Sequence, residues 1–459
     1  MLCFIKKYNI HIPKNCLDVL AQQIIGMAIE QVWDYDELLG LVKKSYNYHN
    51  LKTEDFNEVL NFLAGEYTSL EDRHVYAKIW WDKEEKKIGK RGKSLRIIYM
   101  TNLGTIPDQS GIIVKIGAQP IGQLDESFVE KLKPWDIFVL GGNTYMFKFS
   151  RGMVAQVSSA AGRTPTVPSW FSEMLPLSFD LAMDIQRFRS LVEDRLVAKE
   201  SKKDIINFIH SYLYVDDPAA EAIYNYIKEQ YDFAMIPSHK KILIEHYIDE
   251  NDKKYSIFHT LFGRRVNDCL SRAIAHAIAR KQKRAVEIGI NDNCFYVTHD
   301  KDINVIDAFK LLKSDELRRV MDLALDSTEI LSRRFRHCAA RAFMILKRYK
   351  GHEKRVGRQQ VSSMILMNAV KRISADFPIL KEARREVLED LMDIDNTINV
   401  LKMKENGTLK VKEITTRIPT PFAFNLIVRG CTDIYKAEDK QKFLQRMHSM
   451  VLARIGQKK

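Results

Sequence analysis

The spacing of apolar and polar positions changes character several times along the chain, and each change marks a segment. Apolar residues at 17, 20, 24, 27 and 28 recur every three or four positions through 16–30, as on one buried helix face, with Pro13 and Asn15 as start signals upstream. A second helix is predicted over Asp36 to Ser45, and a third over Asp55 to Leu63 with the Thr53 side chain placed to cap it. After Gly65 the pattern shortens: 75–81 and 95–100 read as strands flanking the polar stretch 82–94. Three helices followed by a two-stranded ribbon with a basic tip is a winged-helix pattern, assigned to 16–103 behind a stub at 1–15.

From 104 to 162 the apolar runs are short and glycine-punctuated: strands are predicted at 111–116, 135–140, 144–149 and 153–157, with a helical turn at 125–131. Gly141-Gly142-Asn143 supplies a hairpin turn, and the set suggests a small β-barrel. A proline-rich connector from Arg163 opens a helical segment to 238, with helices at about 176–200, 202–212 and 216–231. Strands at 241–248, 256–262, 285–290 and 294–297 around a helix at 266–281 make a mixed α/β segment, 239–310. The remainder, 311–459, reads as helical with breaks near 350–351, 376–378 and 407–421. The predicted class is α+β and multidomain: winged helix, small β-barrel, then a mostly helical C-terminal region with a short mixed sheet.

Composition narrows the function classes. A chain of 459 residues exceeds one compact core. No run approaches the roughly 20 apolar residues of a membrane-spanning helix, and the start lacks the order of a secretory signal. A cytoplasmic location without membrane partners is expected. The six cysteines lie far apart and form no Cys-x-x-Cys pair, so no metal site is expected. The net charge of +13 favours an anionic partner, nucleic acid before membrane surface, because each neutralised phosphate releases counterions.

No catalytic constellation is present. The nearest approach to a phosphate loop, Gly89-Lys-Arg-Gly92-Lys93-Ser94, has two residues between its glycines where the nucleotide-binding pattern needs four. Lys90, Arg91 and Lys93 read instead as a basic wing tip that touches a backbone. Paired acids such as Glu389 and Asp390 read as solvated charge. Arg333 to Gly351 interleaves basic, aromatic and small residues, and helical spacing puts Arg334, His337, Arg341 and Arg348 on one stripe opposite Phe335, Cys338 and Ala342. Such a stripe either tracks phosphates or is held by neighbouring acids; Arg355 and Arg358 extend it. Arg264 and Arg265, at a strand-to-helix junction, suit either bidentate phosphate contacts or internal ion pairs. Trp170, ending a stiff connector with prolines at 165 and 168, is either a stacking platform for an unpaired base or a core residue.

Several long stretches carry a resemblance: Leu17-Asp-Val-Leu-Ala-Gln-Gln-Ile-Ile-Gly-Met, Phe128 through Gly142, Thr166 through Asp180, Phe258 through Asp268 and Phe335-Arg-His-Cys-Ala-Ala-Arg. Over nearly its whole length the chain resembles the archaeal Lhr-type (large helicase-related) helicases of superfamily 2. The resembling part is the region C-terminal to their two RecA-like domains: the winged helix and the DEAD/DEAH-associated region. The resemblance implies an ATP-dependent translocase moving 3′ to 5′ on single-stranded DNA and unwinding duplexes, RNA:DNA hybrids included. It implies that ATP and Mg belong to RecA-like motor domains absent here, joined in cis or acting in trans, and that no cofactor sits in this chain. It also implies that Trp170 stacks on the strand and that Arg264 and Arg265 fall in another of the family's motifs; Arg163, at the start of the connector, is a further candidate nucleic-acid contact. Two alternatives remain at this stage. A stand-alone winged-helix DNA-binding regulator would read bases with the third helix, which offers Asp55, Asn57 and Glu58 but no arginine. A hydrolase with an unrecognised site has no residues behind it.

Overall fold

The computed structural model describes residues 10–67, 70, 75–106, 111–129, 132, 134–151, 154–163, 175–249, 252–283, 286–299, 303–326, 328–346, 348–349, 352–353, 356–430, 445 and 448–456. Helix α1 (Leu17–Glu30) buries Leu17, Leu20, Ile24 and Ala28, members of the predicted stripe. A short β1 (Trp33–Asp34) ends in the cap of α2 (Tyr35–Lys43), where the Asp34 carboxylate accepts the N–H groups of Asp36 at 2.9 Å and Glu37 at 3.3 Å. Helix α3 (Thr53–Ala64) starts at Thr53 itself, with Lys52 at the N-cap and no side-chain cap bond, so the expected threonine cap does not form. Gly65 at φ +81° closes it.

Strands β2 (Ile79–Asp82) and β3 (Lys87–Lys90) form a hairpin, and β1 completes a sheet of order β1-β3-β2. Sequence 95–100, expected as the ribbon's second strand, is instead helix α4 (Leu95–Asn102). Its buried residues, Leu95 and Asn102, stand seven apart, two helical turns, and Asn102 Nδ2 donates to the Ile98 carbonyl at 2.9 Å.

The next sheet runs in the order β5-β4-β8-β7-β6, from β4 (Gly111–Ile116), β5 (Gln119–Asp125), β6 (Ile137–Leu140), β7 (Asn143–Arg151) and β8 (Val154–Ser159). It is mixed, since β4 and β8 pair in parallel. A single turn, α5 (Glu126–Val129), follows β5, a strand the sequence did not announce. Gly141 and Gly142, at φ +58° and +79°, make the two-residue hairpin between β6 and β7 that their sequence predicted.

Helices α6 (Phe179–Val197), α7 (Lys202–Leu213) and α8 (Asp217–Phe233) pack around Phe188, Val192, Ile205, Ile209, Tyr224 and Ile227. Each is opened by a side-chain cap, from Ser178, Ser201 and Asp216. Strands β9 (Lys241–Ile248) and β10 (Lys254–His259), helix α9 (Arg264–Gln282), then β11 (Glu287–Ile290) and β12 (Phe295–His299) come next. After them come α10 (Val305–Leu311), α11 (Leu317–Leu325), α12 (Glu329–Arg341), the two-residue strands β13 (Arg348–Tyr349) and β14 (His352–Glu353), α13 (Val356–Ile373), α14 (Pro378–Arg385) and α15 (Ile394–Glu405). Strand β15 (Lys410–Thr416) and α16 (Phe424–Gly430) complete the set, with helical residues at 448–456.

β15 lies in what was expected to be a break between helices. It pairs in parallel with β9, at the edge of a sheet of order β11-β12-β10-β9-β15. A buried carboxylate holds this edge. Glu245 of β9 accepts from Thr416 Oγ1 at 2.8 Å, from the Thr420 N–H at 2.8 Å and from Thr420 Oγ1 at 2.7 Å, and meets His259 Nε2 at 2.9 Å. Burying an ionised carboxylate without such partners would cost at least several kcal/mol.

The chain divides into two units. The N-terminal unit joins Ile10–Arg163 to Leu325–Asp390; the central unit joins Thr164–Ala324 to Leu391–Lys459. The expected helical region 311–459 is thus not one body: its stretch 325–390 packs with the first third of the chain. Among the described residues, no helix is long and apolar enough to cross a membrane.

Candidate nucleic-acid interface

In the N-terminal unit the β2–β3 hairpin turns at 82–87, where the Asp82 carboxylate accepts the N–H groups of Glu84 and Glu85, each at 2.9 Å. The lysines at this tip are balanced: Lys83 meets Glu66 at 3.6 Å, Lys86 meets Asp36 at 3.1 Å and Lys87 meets Glu85 at 2.9 Å. Lys90, Arg91 and Lys93 lie at and beyond the end of β3, not on the tip where the sequence placed them. All three side chains are exposed, and none carries an ion pair among the described residues. The Trp80 ring packs over Gly89, where a Cβ would fall 2.6 Å from it, so the glycine serves the hairpin and not a phosphate loop.

Arg348 comes to the other end of α4. Its N–H donates to Asn102 Oδ1 at 2.9 Å and its carbonyl accepts from Asn102 Nδ2 at 3.0 Å, fixing the strand that carries the exposed arginine. The fold therefore brings Lys90, Arg91 and Lys93 to the start of an eight-residue helix and Arg348 to its end, a span of about 12 Å at 1.5 Å per residue. Arg163 is also exposed, beside the Met146 sulfur at 3.6 Å.

The stripe read from 334 to 348 does not exist as one helical face. Helix α12 stops at Arg341; Phe343 takes φ +54°, and the N–H groups of Met344 and Ile345 both turn back to the Ala339 carbonyl, at 2.8 and 3.0 Å. Two of the basic residues before that stop, Arg334 and Arg341, face acids. Arg341 Nε donates to Asp18 Oδ2 at 2.6 Å, and its Nη2 donates to Glu386 Oε1 and, at 3.3 Å, to Cys338 Sγ. Only 11% of the Arg341 side chain is exposed, against 1% for Asp18 and 10% for Glu386. Arg334 approaches Glu386 Oε2 at 3.7 Å.

His337 is no cation in this setting. Burial, and then the guanidinium groups of Arg336, Arg334, Arg341 and Arg333, push it down to about 3. Asp18, Cys338 and Glu386 come within 4.8 Å of one another, the one such grouping among the described residues. The Arg341 guanidinium bonds all three, so a fixed cation stands where a metal would, and burial holds the Cys338 thiol well above its ordinary range. Gln22 locks the same junction, donating to the carbonyls of Arg341 at 2.9 Å and Gly104 at 3.1 Å. Beside it Arg385 grips Glu382 and Asp390 at 2.8 and 2.9 Å, while Glu382 accepts the Leu17 N–H at 2.9 Å. Asp390, expected as solvated charge, is thus paired. Helices α1, α12 and α14 are tied together by ions that sequence reading could not pair across more than 300 residues.

The polar residues of α3 are also occupied. Asp55 meets Lys381 at 2.6 Å, Asn57 accepts the Tyr35 hydroxyl at 2.7 Å, and Glu58 accepts the Tyr67 hydroxyl. A helix that reads bases keeps such groups for the groove.

In the central unit Arg264 and Arg265 open α9. The Asp292 carboxylate accepts the N–H groups of Arg264 at 2.8 Å and Leu177 at 3.0 Å. Gly263, at φ +86°, would place a Cβ 2.3 Å from the Leu177 carbonyl oxygen, so this junction admits only glycine. Arg264 is exposed and Arg265 half-buried at the positive end of a nineteen-residue helix. Trp170 and Arg355 lie outside the described residues, as does the Arg358 side chain.

Two family profiles match: residues 8–167 match the winged helix domain of large helicase-related proteins, and residues 236–423 the DEAD/H associated domain. The chain is 52% identical over 447 residues to an ATP-dependent helicase Lhr-Core of Methanothermobacter thermautotrophicus, covering 97% of this chain and 52% of that protein. It is 44% identical to ATP-dependent helicase Lhr-Core protein 2 of Thermococcus barophilus, over 99% of this chain and 53% of that protein. A Lhr helicase/uracil glycosylase of Escherichia coli matches at 28% over 91% of this chain and 27% of its own length. The chain spans about half the length of the archaeal relatives it matches. In fold it is similar to Mycobacterium smegmatis helicase Lhr, solved bound to ssDNA and AMP-PNP, with a TM-score of 0.69 at 22% identity over 91% of this chain and 49% of that one.

Proposed function

The chain belongs to the Lhr-type helicase family, and from that membership we propose that it is the strand-gripping half of an ATP-dependent helicase. It holds single-stranded nucleic acid, DNA or the DNA of an RNA:DNA hybrid, while RecA-like domains in cis or in trans hydrolyse ATP and drive 3′-to-5′ movement. The observation that carries this reading is the match along 97% of the chain to half of a helicase, in a sequence without a phosphate loop. The exposed cations at both ends of α4, with Arg163 and Arg264, supply phosphate contacts. The engaged side chains of α3 weigh against a sequence-reading regulator.

Labelled single strands and duplexes of equal length, titrated with the purified chain, test it. Single strands are expected to bind in preference to any duplex and without sequence preference, and ATP turnover with saturating DNA is expected to stay at background. Tight selection of one duplex sequence would refute the proposal, and turnover abolished by Lys93→Ala would refute the reading of 89–94. Trp170 belongs to the same proposal as a stacking residue. Trp170→Ala is expected to weaken strand binding by roughly 1–3 kcal/mol with little change in thermal stability. A core tryptophan would instead cost about 3–5 kcal/mol of stability.

A further inference from the structure

Trp135 is the residue after Pro134 in a tight turn and takes φ +81°. A positive φ of this size is one that glycine adopts freely and other residues adopt under strain. The side chain gains no burial in exchange: Trp135 is 71% exposed. A large ring displayed to solvent at a strained backbone position points to use outside the fold.

A second irregularity meets the first. The Trp135 N–H donates to the Phe147 carbonyl at 2.8 Å, and the Phe147 N–H donates to the Asp136 carbonyl at 2.7 Å. At this point on β7 the pairing with β8 steps from Phe147↔Val157 to Phe149↔Gln156, leaving Lys148 as an extra residue. Such a bulge re-aims neighbouring side chains. Phe147 stays buried, while Lys148 and Arg151 are exposed and Phe149 is 53% exposed. Two exposed aromatic rings thus lie on adjoining segments, with cations at 148 and 151.

We propose that Trp135 and Phe149 form a stacking surface for unpaired bases, with Lys148 and Arg151 on the flanking phosphates. The inference rests on the single-strand reading above and adds a contact point in the β4–β8 sheet. Rings for base faces and cations for the backbone are what sequence-independent strand binding requires, and the positive rim suits a polyanion.

The test uses the full chain, a labelled short oligothymidylate and fixed salt. Trp135→Gly is expected to raise the melting temperature, because the turn is relieved, and to weaken binding roughly 5- to 150-fold, about 1–3 kcal/mol for one stack. Trp135→Phe should retain part of the affinity, while Trp135→Leu, apolar but without an aromatic face, should lose as much as glycine. Wild-type binding left unchanged by Trp135→Gly overturns the inference and assigns the patch to another partner, as does full affinity in Trp135→Leu. Failure of the wild-type chain to bind the oligonucleotide overturns the single-strand reading itself.

Discussion

Arg341→Ala is expected to destabilise the N-terminal unit by about 3–5 kcal/mol, because it leaves two buried carboxylates without their counter-ion. Asp18 stands on α1 and Glu386 caps the end of α14, and Arg341 bonds both from the end of α12. Burial first, and the neighbouring Asp18 carboxylate after it, raise the Glu386 carboxyl, and Arg341 is the principal group that lowers it. Without the guanidinium the two acids repel each other in a site that excludes water, and the fold responds by protonating or opening. Arg341→Met combined with Asp18→Asn and Glu386→Gln should recover much of the loss, since the cost lies in the uncompensated charge. Arg348→Ala, at an exposed side chain, should stay within about 0.5 kcal/mol of wild type. Thermal unfolding followed by a probe in the N-terminal unit separates these variants. An Arg341→Ala protein that melts like wild type but no longer binds a strand would return Arg341 to the phosphate-tracking role its sequence suggested.

The contrast between Arg341 and Arg348 shows where sequence stops being informative. Periodicity locates α1, α6, α7, α8 and α9 to within a few residues, because each buries one face and several begin with a side-chain cap. It fails at the end of α12, where Ala342-Phe343-Met344 contains neither glycine nor proline and the chain still turns left-handed. It fails at 95–100, where an apolar run with two isoleucines reads as a strand and folds as a helix. β15 escapes because Lys410-Val-Lys-Glu-Ile-Thr-Thr is a mostly exposed edge strand whose partner, β9, lies about 170 residues earlier. A basic stripe has the same appearance whether it faces solvent or acids. Its partners, at 18 and 386, are chosen by tertiary packing and leave no local trace. Exposure therefore re-sorts the candidates: Lys90, Arg91, Lys93, Arg163, Arg264 and Arg348 are exposed to a polyanion, while Arg341 and His337 are not.

That re-sorting sets the size of the salt effect. If these six exposed cations, with Lys148 and Arg151 of the proposed stacking surface, each neutralise one phosphate, the slope of log affinity against log salt is about −5.6 for a single strand. Affinity should then fall roughly 2000-fold between about 50 and 200 mM salt. Removing one exposed cation, as in Arg91→Ala, should reduce the slope by about 0.7 and weaken all sequences alike. Arg341→Met in the charge-compensated background should leave the slope unchanged, since a guanidinium already neutralised by Asp18 and Glu386 releases no counterion from DNA. Strand affinity measured over a salt series for these two proteins counts the phosphate contacts directly. A slope near −1 in the wild type would mean that most of the exposed cations only solvate the surface, and that affinity comes from ring stacking. A slope that drops with the Arg341 variant would mean that the ion network opens on binding and hands its arginine to the strand.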